Sequence, residues 1–264
     1  KLPHDVNPMP LPEFFYRTEA RLNSFQIDEI SVKKVLQSLR TSSATGPDGI
    51  GNMILKNTAP GICPSLTKLF NYSLRTSCFP DSWKKVNVCP VFKKNDKQIK
   101  SNYRPISLLC NVSKVFERLI YNALYEHFMR HELLTSRNSG FRSNDSTINQ
   151  LLKILHDIYN GLELQKEARM VFLDISKAFD HVWHEGLLYK LRQLGIEGPL
   201  LKLIQSYLSN RRQCVTIGGQ TSPTLPVEAG VPQGYILGPL LFLVFINDIS
   251  DGISCDIKLF ADDT

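Results

Sequence analysis

Three aspartates that follow apolar segments constrain this chain more than any other feature. Asp174 directly follows the apolar run 170–173, and Asp262 and Asp263 follow a second, mostly apolar stretch at 257–260. The first run predicts a buried β-strand, and a carboxylate at the tip of a buried strand needs a charged partner. Divalent cations take oxygen ligands from several segments. The pattern predicts two metal ions that are held by three carboxylates and bind phosphate. A strand-end cap or a polar turn is the alternative for each aspartate alone.

A segment rich in glycine and proline lies between the aspartates. Residues 229–239 read Ala-Gly-Val-Pro-Gln-Gly-Tyr-Ile-Leu-Gly-Pro, and the apolar stretch at 240–249 predicts a buried helix after them. Proline and glycine so close together predict a turn whose backbone can approach a ligand closely. Gln233 is the side chain of this segment that can both donate and accept hydrogen bonds.

Together these three segments resemble motifs A, B and C of a reverse transcriptase palm. Three upstream blocks are similar to the finger motifs of the same class: Ser-Ala-Thr-Gly-Pro-Asp-Gly-Ile at 43–50, Asn-Tyr-Arg-Pro-Ile-Ser-Leu-Leu at 102–109, and Ser-Gly-Phe-Arg at 139–142. In residue type, order and spacing the chain resembles the reverse transcriptases of non-LTR (LINE-type) retrotransposons of the jockey-like group. The resemblance covers residues 25–264.

The resemblance implies an α+β fold of the right-hand polymerase type, with helical fingers and a palm built on an antiparallel sheet. We expect a connecting arm at 1–24, fingers at 25–165 and a palm with motifs A, B and C at 166–264. The thumb is expected to be absent, because the sequence stops shortly after the Asp-Asp pair.

Hydrophobic periodicity predicts the individual helices and strands. Helices are expected near 27–39, 62–76, 111–129, 145–160, 185–194 and 198–209, and strands at 83–94, 168–174 and 213–217, the last returning at 225–228.

The resemblance also implies a two-metal centre. Asp174 and Asp262 are expected to ligate Mg²⁺, with Mn²⁺ as a substitute ion, and Asp263 to support the same site. Adjacent residues of a strand point to opposite faces, so Asp262 and Asp263 can serve one site only where the chain turns.

Residues for the incoming nucleotide are implied in the same way. Gln233 and Gly234 resemble the loop that contacts the nucleotide, and Arg104, with Lys93 or Lys94, resembles the cationic pair that grips the triphosphate. The choice between the two lysines stays open. Positive side chains at such a place stabilise the negative charge that spreads over the phosphates during transfer.

Phe179, five residues after Asp174, is implied to be the steric gate of the nucleotide site. In reverse transcriptases an aromatic residue at this position blocks the 2′-hydroxyl and so selects deoxynucleotides. RNA-dependent RNA polymerases usually carry an aspartate there, whereas here the next aspartate is Asp180. An RNA-templated RNA polymerase is therefore a disfavoured alternative. A plain core aromatic is the alternative for Phe179 itself.

Arg142 and two departures from the family pattern complete the candidate site. Arg142, in the Ser-Gly-Phe-Arg block, either follows template phosphates or positions the fingers, with a structural salt bridge as the alternative. Tyr235 stands where Ser is most frequent in this group, and its bulk could crowd the nucleotide pocket. Asn138 stands where Gln is usual.

Basic residues concentrate in one segment of a chain whose net charge is +6. They are Lys84, Lys85, Lys93, Lys94, Lys97, Lys100 and Arg104, against Asp96 alone. A charge run is commonly a solvated loop. Its place beside a strand-like alternation at 86–92 favours a phosphate-facing surface that binds nucleic acid or a nucleoside triphosphate.

Size and cysteine content exclude other classes of protein. With 264 residues and 42% hydrophobic composition, the chain can bury a substantial core. It has no apolar run of about 18 residues that would predict a membrane span, and no signal-peptide layout. The six cysteines have neither zinc spacing nor the pattern of a disulfide framework. They predict an intracellular protein, and the resemblance implies a location in the nucleus and cytoplasm.

The activity that the resemblance implies is RNA-directed DNA polymerisation. The 3′-hydroxyl of a DNA primer would attack a deoxynucleoside triphosphate (dNTP), with RNA as template. The alternative is a decayed, catalytically inactive remnant that still binds nucleic acid. Tyr235 is the best sequence support for that alternative, and the three intact aspartates argue against it.

Overall fold

The structure, a computed structural model, describes residues 11–142, 145–231 and 234–261. Over these ranges, helices surround a mixed β-sheet. The helices are α1 (Glu29–Gln37), α2 (Asn52–Asn57), α3 (Ala59–Thr76), α4 (Asn111–Arg130), α5 (Thr147–Glu163), α6 (His184–Gln193), α7 (Gly198–Leu208) and α8 (Leu237–Phe245). The strands are β1 (Lys85–Phe92), β2 (Tyr103–Leu108), β3 (Arg211–Ile217), β4 (Gln220–Thr221) and β5 (Leu225–Val227). Short 3₁₀-helices lie at Asp81–Trp83, Lys100–Asn102 and Ala178–His181.

Local sequence signals explain where several helices begin and end. The side chain of Asp28 accepts a hydrogen bond of 2.7 Å from the N–H of Ser31 at the start of α1. Ser146 accepts one of 3.2 Å from the N–H of Asn149 at the start of α5. These oxygens bind N–H groups that have no partner inside the helix. α3 ends at Thr76, and the next residue, Ser77, has a φ of 55°, the left-handed conformation typical of the position after a helix.

The helices that periodicity predicts are confirmed. The expected helices near 27–39, 62–76, 111–129, 145–160, 185–194 and 198–209 correspond to α1, α3, α4, α5, α6 and α7. The short α2 is not predicted, because it is too short to show a period. α8 begins at Leu237, earlier than the apolar stretch at 240–249 suggests.

The sheet is mixed rather than antiparallel throughout. Its strand order is β2-β1-β3-β4, and β5 pairs with β3. β1 and β2 form an antiparallel hairpin in which Val91 faces Arg104, whereas β1 and β3 run parallel. β5 returns antiparallel to β3, as predicted for 225–228. The sheet therefore joins strands from the regions predicted as fingers and as palm.

The prediction of a strand at 168–174 is wrong. Residues 168–173 form no regular element, and only Asp174 makes a single-residue bridge. The apolar run is not buried, since Val171 and Phe172 are each 78% exposed. An apolar run is buried only where another layer packs on it, and the described elements leave these residues uncovered.

The centre of the core is aromatic. Phe116 of α4 stacks on Phe70 of α3, with ring centroids 4.8 Å apart, and on Phe79, at 5.8 Å. Phe79 meets the edge of Tyr207 of α7 at 5.0 Å. All four rings are almost completely buried. Such pairs add to the free energy of burial. Through Phe79, this cluster connects α3, α4 and α7.

Two predictions that concern the whole chain can be compared with the structure. None of the helices in the described part of the chain is long and apolar enough to cross a membrane. All six cysteines lie in the described ranges and are free thiols, as expected.

We expect Phe116→Ala to lower the free energy of unfolding by about 3–5 kcal/mol, because it leaves a cavity among three aromatic neighbours. Phe15→Ala is the matched control, since Phe15 is 55% exposed, and should change the free energy of unfolding by no more than about 0.5 kcal/mol. Urea unfolding followed by circular dichroism measures both. Equal losses of unfolding free energy in the two variants would show that the aromatic cluster is not the centre of the core.

Candidate active site

Asp174 stands at an exposed position, just before a sharp bend of the chain. Its carboxylate has no hydrogen bond or ion pair with the described residues. Lys177 has a φ of 51° and bends the chain into the 3₁₀-helix Ala178–His181. The N–H of Asp180 donates to the carbonyl of Lys177 at 2.9 Å. The bend turns the chain inward directly after Asp174 and leaves the carboxylate available to a ligand.

Phe179 packs against two other parts of the chain. Its ring stacks on Phe242 of α8, with centroids 4.6 Å apart, and meets Phe141 edge to face at 5.9 Å. Phe242 is buried, whereas Phe179 is partly buried. The position suits either a packing residue or the wall of a binding site, so its role as steric gate stays a prediction.

The first half of the Pro-Gln-Gly segment (residues 229–236) is hydrogen-bonded to this 3₁₀-helix. The N–H of Val231 donates to the carbonyl of Phe179 at 2.8 Å, and the N–H of Gly230 donates to the carbonyl of Val182 at 2.9 Å. Gly230 has a φ of +88°, and a Cβ there would lie 2.9 Å from Cα of Asp180. Only glycine fits such a close approach without strain.

The second half of the segment lies against the sheet and the core. Gly234 has a φ of +96°, and a Cβ there would lie 3.0 Å from the carbonyl oxygen of Ser107 in β2. Tyr235 is buried, and its hydroxyl accepts a hydrogen bond of 2.6 Å from Nη2 of Arg211. The side chain of Tyr235 therefore enters the core, and the crowding of a pocket that its sequence position suggests is not observed. Gln233 lies outside the described residues.

A cavity of about 320 Å³ lies where these elements meet. Its walls include Ser107 of β2, Gln213 of β3, Asp180 of the 3₁₀-helix, and Gly230 and Val231 of the Pro-Gln-Gly segment. Segments far apart in sequence thus enclose one space. Tyr235 is not part of its lining.

The predicted phosphate-binding residues lie on the β1–β2 hairpin, and none of them lines this cavity. Arg104 is on β2, and the N–H of Lys93 donates to the carbonyl of Asn102 at 2.8 Å across the hairpin. Arg104, Lys93 and Lys94 are exposed, and within the described ranges none has an acidic partner. They carry positive charge that a ligand could neutralise.

Lys84 is an exception in the basic segment. It is buried and forms an ion pair of 2.9 Å with Asp81. Its Nζ also lies 3.5 Å from the hydroxyl of Ser206 in α7. Lys84 is therefore a structural residue, and the predicted phosphate-facing surface does not include it.

The Ser-Gly-Phe-Arg block pairs with the segment that precedes the Asp-Asp pair. The N–H of Ser139 donates to the carbonyl of Leu259 at 3.0 Å, and the N–H of Leu259 donates to the carbonyl of Arg137 at 2.9 Å. A Cβ on Gly140 would lie 2.3 Å from the backbone nitrogen of Ala261. Oδ1 of Asn138 accepts from the N–H of Gly140 at 2.8 Å. The block thus contacts the residue directly before Asp262.

Arg142 makes hydrogen bonds within the protein. Its Nη1 donates to the carbonyl of Thr135 at 2.8 Å, and its Nη2 lies 3.9 Å from the sulfur of Met129. In the described part of the chain it forms no ion pair, so the salt bridge considered as an alternative is not observed. Its contact with nucleic acid stays a prediction.

The predicted metal site is only partly described. Asp262 and Asp263 lie outside the described residues, and within the described ranges no group of three His, Cys, Asp or Glu side chains could hold a metal ion. Asp174 is the described member of the predicted set. Its free carboxylate has the oxygen chemistry that a hard cation requires, so it fits such a site.

A buried polar cluster was missed by sequence reasoning. Glu117 of α4 is completely buried, and its Oε2 accepts from the N–H groups of Ile236 and Leu237, at 3.0 and 3.3 Å, where α8 begins. Burial raises the pKa of Glu117, and the positive charge of Arg211 opposes that rise. The sequence signal for this cluster is that Glu117 lies on the same helical face as Ile120 and other apolar residues, which indicates a buried carboxylate.

Comparison with known proteins places this arrangement in a class. The chain matches the family described as reverse transcriptase (RNA-dependent DNA polymerase) over residues 92–264. It therefore belongs to the reverse transcriptase family, and its helices around a mixed sheet form a reverse transcriptase domain.

Within that family, the chain is similar to polymerases of mobile elements from Drosophila melanogaster. It is 33% identical over 230 residues to the probable RNA-directed DNA polymerase from transposon BS, covering 86% of this chain and 25% of that protein. It is 35% identical over 231 residues to the probable RNA-directed DNA polymerase from transposon X-element, covering 87% and 25%. For the RNA-directed DNA polymerase from mobile element jockey, identity is 34% over 243 residues, covering 88% and 26%.

These relatives confirm the resemblance to non-LTR retrotransposon polymerases of the jockey-like group. The chain spans about a quarter of the length of the relatives that it matches.

We expect Gly140→Ala to lower the free energy of unfolding by about 1–3 kcal/mol, because its Cβ would overlap the backbone at Ala261. Gly161→Ala is the matched control: it lies in α5 with nothing within 4 Å of the added Cβ. It should be neutral or stabilise the helix by about 0.5–1 kcal/mol. Urea unfolding compares the two variants, and an unchanged stability of Gly140→Ala would refute the close approach.

Proposed function

We propose that this chain is the polymerase part of an RNA-directed DNA polymerase of a non-LTR retrotransposon. Family membership and the names of the relatives support the activity. The single observation that carries it is the cavity whose walls come from β2, from the 3₁₀-helix after Asp174 and from the Pro-Gln-Gly segment. These three segments bear the predicted residues for the triphosphate, the sugar and the incoming nucleotide.

The finer architecture is part of the proposal. Residues 1–24 would be a connecting arm, 25–165 the fingers and 166–264 the palm of a right-hand polymerase. The β1–β2 hairpin would then be the part of the fingers that reaches over the nucleotide. Its pairing with β3 supports a fingers region that packs firmly on the palm.

Asp174, Asp262 and Asp263 would hold two Mg²⁺ ions, with Mn²⁺ as a substitute. Such ions supply two effects: they lower the pKa of the primer 3′-hydroxyl and stabilise the charge of the leaving phosphates. The exposed carboxylate of Asp174, which no described residue neutralises, supports its part in this site.

Binding of the dNTP would use the charges of the hairpin and the Pro-Gln-Gly segment. Arg104 with Lys93 or Lys94 would bind the triphosphate, because these cations are exposed and have no acidic partner in the described ranges. Gln233 and Gly234 would contact the nucleotide itself.

The nucleic acid partners would be an RNA template and a DNA primer. Arg142 would contact the template with the guanidinium N–H groups that its intramolecular bonds leave available. The reaction would take place inside the cell, in the nucleus and cytoplasm, where such templates and primers occur.

The inactive remnant is not favoured. Its best sequence support was the bulk of Tyr235 in the nucleotide pocket. That side chain is only 4% exposed and enters the core instead.

Primer extension tests the proposed function directly. The natural protein at its full length is given an RNA template, a DNA primer, dNTPs and Mg²⁺. We expect extension by the wild type and a loss of about 100- to 1,000-fold in Asp174→Asn, because removal of charge stabilisation at a reacting phosphate has effects of that order. Glu185→Gln is the control, since Glu185 is exposed on α6 and forms no ion pair with described residues.

The outcome decides between the two candidate functions. Extension that is lost in Asp174→Asn and kept in Glu185→Gln establishes the polymerase. A well-folded wild type without extension would favour the inactive remnant, and binding of the primer–template duplex measured alongside would show what function is left.

A measurement of sugar preference tests the proposed role of Phe179 as the steric gate. We expect Phe179→Val to lower the ratio of kcat/KM for dNTPs to kcat/KM for ribonucleotides by about 10- to 200-fold, the effect of opening an apolar wall by a few carbon atoms. Phe242→Leu is the control, because it disturbs the stacking partner of Phe179 without opening the proposed gate. If both variants change the ratio equally, or neither does, Phe179 is a packing residue.

A further inference from the structure

A buried network of charged and hydroxyl groups surrounds the start of α8. Oε1 of Glu117 accepts a hydrogen bond of 3.2 Å from the hydroxyl of Ser113, and Oε2 accepts from the N–H groups at the start of α8. A carboxylate is stabilising at this end of a helix, where N–H groups have no partner and the helix dipole is positive. Glu117 is completely buried, so this contact is not weakened by water.

The second charge of the network is Arg211 at the start of β3. It is 2% exposed, and its guanidinium lies over the rings of Tyr207 and Tyr235, 4.8 and 4.6 Å from their centroids. Nη1 donates to the carbonyl of Tyr207 at 2.8 Å, and Nη2 donates to the hydroxyl of Tyr235. A buried guanidinium is tolerated here because Nη1 and Nη2 are hydrogen-bonded and an opposite charge, Glu117, lies in the same cluster. Nε of Arg211 is buried without a hydrogen-bond partner among the described residues.

Tyr235 and Ile236 connect this network to the Pro-Gln-Gly segment. Tyr235 follows Gly234 directly, and Ile236, whose N–H binds Glu117, comes next. The other end of the segment is bonded to the 3₁₀-helix through Gly230 and Val231. Gln233 thus lies in a short stretch whose two described ends are both fixed.

We propose that Glu117, Arg211 and Tyr235 are positioning residues that hold the Pro-Gln-Gly segment in place for the incoming nucleotide. This assignment rests on the proposed function. The three residues do not line the cavity, so they would act only through the segment. Their loss should weaken nucleotide binding more than it slows the chemical step.

Because Tyr235 lies in the core, Tyr235→Ser is expected to lower nucleotide affinity rather than to raise activity. If Tyr235 crowded the nucleotide, Tyr235→Ser would restore or raise activity. If Tyr235 holds the segment, the same change leaves Nη2 of Arg211 without its partner, removes the ring below the guanidinium, and lowers nucleotide affinity.

The test compares Tyr235→Phe with Tyr207→Phe in the full-length protein. Each change removes one buried hydroxyl: that of Tyr235 accepts from Arg211, and that of Tyr207 donates to Oε2 of Glu117 at 3.4 Å. Only Tyr235 belongs to the Pro-Gln-Gly segment. Thermal unfolding is measured for both variants, and KM for dNTP and kcat are measured separately by primer extension.

We expect Tyr235→Phe to raise KM for dNTP about three- to tenfold with kcat within about twofold of wild type, the pattern of lost binding to the substrate rather than to the transition state. Tyr207→Phe should leave KM within about twofold even if it lowers the melting temperature equally, because Oε2 of Glu117 keeps its hydrogen bonds to the N–H groups of Ile236 and Leu237. Arg211→Lys keeps the positive charge beside Glu117 but loses the two-pronged geometry, and should raise KM in the same direction as Tyr235→Phe.

The outcomes separate this assignment from the proposed function. Wild-type extension with KM raised in Tyr235→Phe and Arg211→Lys but not in Tyr207→Phe supports it. Wild-type extension with equal KM values in all variants, or a gain of activity in Tyr235→Ser, overturns the positioning role and leaves the polymerase intact. A well-folded wild type that does not extend a primer overturns both.

Discussion

The buried carboxylate of Glu117 is the interaction on which the arrangement of this site depends. It binds the first N–H groups of α8 from α4, a helix more than a hundred residues earlier in the chain. α8 in turn carries Phe242, on which Phe179 stacks. Glu117 therefore anchors the end of the Pro-Gln-Gly segment and the start of the helix on which Phe179 packs. An unpaired charge in the core would be costly, which is why Arg211 lies in the same cluster.

Three glycines bring the separate motifs together by removing side chains from points of close approach. Gly230 lies against the 3₁₀-helix, Gly234 against β2 and Gly140 against Ala261. At each point a Cβ would meet backbone atoms at 3.0 Å or less. Backbone cannot shift as easily as the end of a flexible side chain. The close approach at Gly230 therefore forms part of the cavity wall, and the one at Gly140 brings Ala261 against the Ser-Gly-Phe-Arg block.

Apolar surface marks where sequence and structure differ most. The helix predicted at 145–160 is present as α5, but its apolar stripe is exposed, with Leu151 at 54% and Leu155 at 48%. The run at 170–173 is also exposed. Periodicity and composition state which face would favour burial. Neither periodicity nor composition predicts which element packs on that face. In the described part of the chain no element packs over these residues.

The sequence by itself determined the family, most of the helices and the β3–β5 pairing, because these follow from local periodicity and from motif order, and it supplied the predictions for the site residues. It could not determine that Tyr235 enters the core, that Lys84 pairs with Asp81, or that Glu117 binds α8. Those outcomes depend on contacts between residues far apart in the chain. Whether a polar or bulky side chain meets a partner or a ligand is decided only when tertiary packing brings the segments together, since the cost of burying it depends on its new neighbours.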